Sequence, residues 1–299
     1  MADRRLQVFH AVAKHLSFTK AAEALFMTQP AVTFQVKQLE EHFNTRLFER
    51  GHGRIGLTPA GQVALEYAHK ILALSAELDL RLKDMTGEIA GPLLVGASTT
   101  IAEFLLPQVL GHFKSKYPRV QPRLIVANSE TVENRVAEHT LDLGFIESAS
   151  HREDLVIDVC CDDELQAVCA PSHPLARLKS AAPKQLLQYP FISRESGSGT
   201  REVIDHYLKK AGIRAESLNV VMELGSPEAL KGLVATGMGF TILSTATTSK
   251  EARLGQLVRI PLSPRLIRKL SIVSPKERFR SRLIDTFVEF ARGRLARAG

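Results

Sequence analysis

The chain has 299 residues, 44% hydrophobic and 24% charged, with a formal net charge of +7, enough to bury sizeable cores in two or three domains. No apolar stretch has the length of a membrane span, and the opening MADRRLQVFHAVAKHLSF carries neither the apolar region nor the cleavage site of a signal peptide, so a cytoplasmic protein with no membrane partner is expected. The three cysteines, Cys160, Cys161 and Cys169, suit a reducing compartment better than a disulfide framework and lack metal-ligand spacing, so no metal site is expected.

The charge is unevenly spread. Residues 1–58 carry +3, residues 59–87 carry −1, residues 88–264 carry −2 and residues 265–299 carry +7. A basic N-terminal segment fits nucleic acid, whereas the basic tail reads more readily as a solvated helix face.

Residues 1–58 read as short helices followed by a glycine-rich loop. Leu6, Phe9, Val12, Ala13 and Leu16 form one stripe at helical spacing. Ser17 is placed to cap a second helix, FTKAAEALF, and Thr28 to cap a third, with Pro30 tolerated in its first turn, where the missing N–H needs no partner. Only Met27 and Thr28 separate these two helices, and small Ala21 and Ala22 sit where they would cross, which is the pattern of a helix-turn-helix. In TQPAVTFQVKQLE, Val32, Val36 and Leu39 can face a core, while Phe34 lies off that stripe among Gln29, Thr33 and Lys37. The following RLFERGHGRIGLTPAG interleaves Gly51, Gly53 and Gly56 with Arg50, His52 and Arg54; beside a helix-turn-helix, a two-stranded wing is favoured over a plain loop.

From Thr58 or Pro59 to about Thr86 one long helical pattern runs, with Ala64, Tyr67, Ile71, Leu74, Leu78, Leu82 and Met85 at spacings of three and four. Such a stripe suits pairing with a copy of itself as a short coiled coil; the alternative is packing on its own globular domain. GEIAGP, residues 87–92, breaks the helix. Apolar runs then alternate with helical patterns: LLVGAS, IAEFLLPQVLGHFKSKYP, QPRLIVAN, ETVENRVAEHT and DLGFIE, an α/β arrangement with a largely parallel sheet. A second series follows from ELQAVCAP through FISRES, TREVIDHYLKKAG, LNVVMEL and SPEALKGLVATG to GFTIL, and LIRKLSIVS with its following helix packs back on the first. Two lobes joined by crossing connections, about 91–161 with 266–299 and about 162–265, resemble a periplasmic-type binding protein. The expected fold class is α plus α/β: a winged helix-turn-helix over 1–58, a linker helix over 59–87 and a two-lobed domain over 88–299.

The segment LQVFHAVAKHLSFTKAAEALFMTQPAVTFQVKQLEEHFNTRLFERGHGRIGLTPAG resembles the N-terminal pattern of the LysR-type transcriptional regulators almost throughout, and the three-part length fits the entire chain. The resemblance implies a winged helix-turn-helix on double-stranded promoter DNA, a dimerising linker helix and an effector-binding domain, usually in tetramers that bend DNA. RNA polymerase is a further candidate partner, and no cofactor is implied. The recognition helix of such a motif puts its N-terminal side chains into the major groove. Gln29, beside Pro30, can then bond a base edge, Thr33 a base or phosphate, and Lys37 a phosphate. Many relatives carry Arg where this chain has Phe34, whose ring either lies against thymine methyl groups or covers the wing or a protein contact. Arg50 and Arg54 suit phosphate or minor-groove contacts, though Arg54 reads almost as well as a solvated arginine. Ser17 and Thr19 are candidates for backbone contact, though capping alone would explain either.

In the two-lobed domain, GASTTIAEF sets Ser98, Thr99 and Thr100 between a strand end and a helix start, and RESGSGTREV does the same with Ser196, Gly197, Ser198, Gly199 and Thr200. Free N–H groups, small side chains and the helix dipole make both good hosts for an anion. Asn128 falls at a comparable strand end. Each serine or threonine taken singly reads as a helix cap; two such clusters favour a shared site. SGSGTR resembles the branch of the family containing regulators of sulfur assimilation and carbon fixation, which implies a small effector such as an inorganic oxyanion or a phosphorylated metabolite. Arg201 either supplies countercharge or points to solvent, and Glu147 and Glu195 would oppose an anion unless turned away. Enzyme readings fail: ESGSG lacks the first glycine of a G-x-S-x-G elbow, and no GK[ST] completes a phosphate-binding loop. A plain small-molecule binding protein is the competing class, and the N-terminal pattern argues against it.

Overall fold

Polar caps and a compact aromatic core build the first part of the chain. The computed structural model describes residues 3–51, 54–85, 87–150, 152–276 and 280–296, and contacts divide the chain into two compact units, Met1–Glu88 and Ile89–Gly299. Asp3 accepts from the Arg5 amide and opens α1 (Arg4–His15). The helix ends at Leu16 in the left-handed region, φ 44°, which turns that side chain out to 50% exposure. Leu16 thus leaves the stripe the spacing predicts, and Val8 joins it instead. Ser17 Oγ accepts from the Lys20 amide at 3.2 Å and starts α2 (Phe18–Ala24). Thr28 stands at the N-cap of α3 (Gln29–His42) with Pro30 in the first turn, but its side chain makes no capping bond.

Val32, Val36 and Leu39 of α3 are buried in one core with Phe9, Phe18, Ala21, Ala22 and Phe48. The wing is present as β1 (Phe48–Gly51) against antiparallel β2 (Arg54–Leu57). Glu40 Oε1 fixes its approach by accepting from the amides of Leu47 and Phe48 at 2.8 and 3.2 Å. Residues 52 and 53, and the side chains of Arg50 and Arg54, lie outside the described residues.

Thr58 Oγ1 accepts from the Gly61 amide at 2.9 Å at the start of α4 (Pro59–Asp84). Ala60, Ala64, Leu65 and Ala68 lie against the N-terminal core, so Ala64 belongs to the inner face of this helix. Tyr67, Ile71, Leu74, Leu78, Leu82 and Met85 are exposed along the remainder. His10 Nε2 of α1 meets His69 Nε2 of α4 at 3.2 Å. Burial first, then His69 and Lys14, lower the His10 pKa to about 4, so its ring is neutral at neutral pH.

The second unit holds β3 (Gly91–Ser98), α5 (Leu106–Lys116), β4 (Val120–Ala127), α6 (Ser129–Ala137), β5 (Leu143–Ile146), β6 (Leu155–Cys169), α7 (Pro183–Leu186), β7 (Phe191–Arg194), α8 (Gly199–Lys210), β8 (Val220–Leu224), α9 (Pro227–Ala235), β9 (Phe240–Ser244), α10 (Ser249–Arg253), β10 (Val258–Ile260), β11 (Leu266–Pro275) and α11 (Arg282–Leu295). Its strands form one sheet in the order β4-β3-β5-β11-β6-β9-β7-β8, with β10 also on β6. The sheet is parallel within β4-β3-β5 and within β9-β7-β8, but antiparallel from β5 through β11 and β6 to β9. This corrects the expectation of a largely parallel sheet. The reason is β6, one strand of 15 residues that serves both lobes. Its first half, LVIDVCCDD, is too acidic and too alternating to read as a buried parallel strand. Lobe I packs Phe113 of α5, Phe145 of β5 and Phe287 of α11 on one face of the sheet, and α6 on the other. Lobe II has its own core around Phe191, Tyr207, Leu230 and Phe240.

Gly144 lets α6 lie directly on the sheet. A Cβ there would come within 2.5 Å of Val132 Cγ1 and 3.1 Å of the Cγ2 atoms of Val136 and Val273. Gly144→Ala is expected to destabilise the second unit by about 1–3 kcal/mol, the usual cost of overpacking, read as a lower urea midpoint.

Candidate DNA-binding surface and effector site

The first turns of α3 present a polar edge. Gln29 is exposed, and its Nε2 donates to Thr33 Oγ1 at 3.1 Å while the Thr33 hydroxyl donates back to the Gln29 carbonyl at 3.0 Å. Pro30 is exposed beside them. Lys37 reaches outward with only a 3.6 Å pairing to Glu41, both side chains mostly in water, an interaction worth little. Phe34 is 56% exposed and takes no part in the N-terminal core. Its ring therefore stands outside that core. Thr19 is exposed, and Ser17 is half-buried in its capping role. One aromatic escaped the sequence reading. Phe26, in the turn before α3, sits at φ 53° and is 98% exposed, whereas the run EALF places it at the end of a helix.

In the second unit, the two hydroxyl clusters expected around an anion lie against each other. Asn128 caps α6 and donates from Nδ2 to the Ser196 carbonyl at 3.2 Å. The Glu130 amide donates to the Gly197 carbonyl. Gly197, at φ 78°, and Gly199 permit this approach. A Cβ on the first would meet Glu130 Oε2 at 2.6 Å, and on the second Ser129 Oγ at 2.6 Å. The lobes are thus closed on each other along this seam.

A carboxylate fills the centre of the seam. Glu147, just after β5, accepts from Ser98 Oγ of lobe I on Oε1 and from Thr200 Oγ1 of lobe II on Oε2, both at 2.6 Å. Arg268 of β11 donates from Nη1 to the same Oε2 at 2.6 Å and to Thr200 Oγ1 at 2.8 Å. Its Nε donates to Asp163 Oδ2 at 2.8 Å, and Ser244 Oγ completes the other oxygen of Asp163 at 2.6 Å. All six side chains are buried. Burial alone would raise the Glu147 pKa, but Arg268, the two hydroxyls and the more distant Arg194 overcome that and hold it near 2.

Ser98 and Thr200 are therefore brought together, but around a side chain of the protein itself. Thr100 is buried and Thr99 half-buried at the start of the helix after β3. Ser198 Oγ is buried with no partner, and so is Arg194 Nη1, whose guanidinium is otherwise held by Glu195 at 2.8 and 2.9 Å. Glu195 is thus neutralised. Arg201 pairs with Glu223 at 2.6 Å and also donates to the Arg194 carbonyl at 3.2 Å, partners that neither of its two readings included. A broad cavity of about 1470 Å³ opens elsewhere, between α8 and the strands β6 and β11, with Ile157, Asp205, His206 and Ile267 in its walls. Glu147 and Arg268 reach it, but the hydroxyl and glycine residues expected at the effector site do not line it. Its walls also carry Lys209, Lys210, Arg214, Arg265 and Lys269.

Arg268 and Asp163 escaped the sequence reading, although a signal existed. In LIRKLSI, Arg268 falls in phase with Leu266 and Leu270, on the buried side of a strand. Because the folded-state pKa of Glu147 is depressed, the stability it contributes is present above the ordinary carboxyl range and is lost as pH falls toward 2. The difference in thermal midpoint between the wild type and Glu147→Gln is accordingly expected to shrink as a scanning experiment moves from neutral pH to about pH 2.

A helix-turn-helix with a wing, a long helix and a closed two-lobed unit have close relatives. The bacterial regulatory helix-turn-helix of the LysR family matches residues 4–62, and the LysR substrate binding domain matches residues 86–296. A probable RuBisCO transcriptional regulator from Cyanidioschyzon merolae is 36% identical over 289 residues, 95% of each chain. The regulatory domain of Synechocystis PCC6803 CcmR, solved in complex with 2-PG, is 28% identical over 68% of this chain and 96% of its own, with a TM-score of 0.63. Full-length CbnR, solved with its target DNA, shares the fold at a TM-score of 0.65 and 24% identity, covering 98% of this chain and 99% of its own. With both of its units matched, the chain belongs to the LysR family of transcriptional regulators and is a DNA-binding regulator with an effector-binding domain, not an enzyme.

Proposed function

We propose that this regulator reads its promoter through α3 and the wing, within residues 1–58. It pairs with a second copy along residues 59–87 and responds to a small anion at the seam of residues 88–299. The observation that carries DNA reading is the exposed edge of α3, with Gln29, Thr33, Phe34 and Lys37 free of the core. Gln29 bonds a base edge, Thr33 a base or phosphate, and Phe34 lies against thymine methyl groups. Lys37, Arg50 and Arg54 neutralise phosphates, Ser17 and Thr19 meet the backbone at the start of α2, and Pro30 shapes the first turn of α3. The uncovered stripe from Tyr67 to Met85 supports pairing of chains. The names of the relatives support carbon-fixation genes as the target class. The 2-PG of the CcmR domain supports an anionic effector, received by Thr99, Thr100, Asn128 and the Ser196–Gly199 loop, with the free donors of Ser198 and Arg194.

Gln29→Ala is expected to cost about 1–3 kcal/mol and to relax sequence preference. Fluorescence anisotropy on the upstream DNA of its own gene, over a salt series, checks this, with log affinity falling linearly in log salt. An unchanged preference would remove Gln29 from the readout. In calorimetry with 2-PG, Thr100→Val and Ser198→Ala should each weaken binding by about 0.5–1.5 kcal/mol, leaving DNA binding without effector intact. Full affinity in the double variant would move the site elsewhere.

A further inference from the structure

The seam between the lobes has the composition of an anion seat, and it is already occupied. Three donors converge on one carboxylate: a hydroxyl from the end of β3, a hydroxyl from the first turn of α8 and a guanidinium from β11. They come from lobe I, from lobe II and from a strand that serves both. An external carboxylate bridging the lobes would be expected to take these same partners. The occupant is instead Glu147, carried in from lobe I by the end of β5 and itself 2% exposed.

We propose that Glu147 is a resident anion: a tethered carboxylate that takes the place of a bound ligand at Ser98, Thr200 and Arg268, closes the lobes with no effector present, and excludes free anions from these three donors. The burial of all four groups follows from this role. A guanidinium buried as deeply as Arg268 must be paired, and Asp163 alone leaves its Nη1 side unsatisfied. Among the described residues the seam leaves Ser198 Oγ, Arg194 Nη1 and Arg268 Nη2 without hydrogen bonds, the last of them 2.8 Å from Asp163 Oδ2, so an incoming effector is left with Ser198 and Arg194. It adds to a closed seam rather than creating one. The chain departs here from a binding protein whose lobes wait open for a ligand, since closure is built into its own sequence. This inference concerns the site assigned above to the effector, but its test uses none.

The experiment is thermal unfolding of the full chain with and without sodium formate, against sodium chloride at equal ionic strength. Glu147→Ala should melt below the wild type, and formate, which is small enough to enter the space left by the missing carboxylate, should raise the midpoint of the variant and leave the wild type unchanged. A variant that loses stability and ignores formate would overturn the proposal, as would equal formate responses in the two proteins. Should the alanine variant fail to fold, Glu147→Gln keeps the volume and removes the charge. In hydrogen exchange without added anion, amides 129–131 and 196–200 should be protected in the wild type and exchange at least about tenfold faster in Glu147→Gln. Equal protection would equally overturn it. A failure of 2-PG to bind leaves these outcomes untouched and bears on the effector reading alone.

Discussion

One buried guanidinium organises the C-terminal unit. Arg268 lies directly across from Asp163 in the pairing of β11 with β6, so the charge pair is set by strand register. Removing such ions from water costs several kcal/mol each, and the cost is offset only when every lone pair and proton finds a partner. Glu147, Ser98, Thr200 and Ser244 supply partners from the end of β5, β3, α8 and β9, while Arg268 Nη2 makes no hydrogen bond and is held only by its charge, 2.8 Å from Asp163 Oδ2. The position of each element at the seam is thereby tied to the same charge. Drawing the lobes apart would leave a charge buried and unpaired or would have to hydrate the whole group at once. That favours two discrete arrangements over a continuous range.

How much of this was legible in the sequence depended on what kind of interaction carried each part. The N-terminal unit was readable because its determinants are local: Ser17 beside the helix it caps, Pro30 in a first turn, alanines where two helices cross. Leu16 was misplaced because a left-handed terminus breaks helical phase after the last regular turn. The C-terminal unit was readable as alternating strands and helices, but not in its strand directions, because β6 joins the lobes through one strand whose half-exposed face hides it. At the seam, Ser98 and Thr200 were singled out at strand-to-helix junctions as hosts for an anion, and Glu147 only as a charge that would oppose one. Its pairing was not legible: Glu147 and Arg268 lie 121 positions apart, and no local pattern announces which carboxylate a distant arginine will choose.

Glycines explain why the seam can shut so tightly. Gly197 adopts a backbone conformation that side chains resist, and a Cβ on Gly199 would come within 2.6 Å of Ser129 Oγ and 3.1 Å of Glu147 Cβ. The loop from Ser196 to Thr200, which suits an anion host through its bare N–H groups, is by the same property a surface on which the opposite lobe can rest. Small residues bring bare backbone directly into the lobe contact.

Among the described residues, the long helix α4 is gripped near its beginning, where Ala60, Ala64 and Ala68 meet the N-terminal core and His69 meets His10. Of its 26 residues, those beyond His69 extend about 22 Å at 1.5 Å each. Rods amplify angles. A tilt of about 9° carries the free end through roughly 3.4 Å, close to the rise of a single base step. If two chains pair along this helix as proposed, a rotation of that size would shift the spacing between their N-terminal units by about one nucleotide.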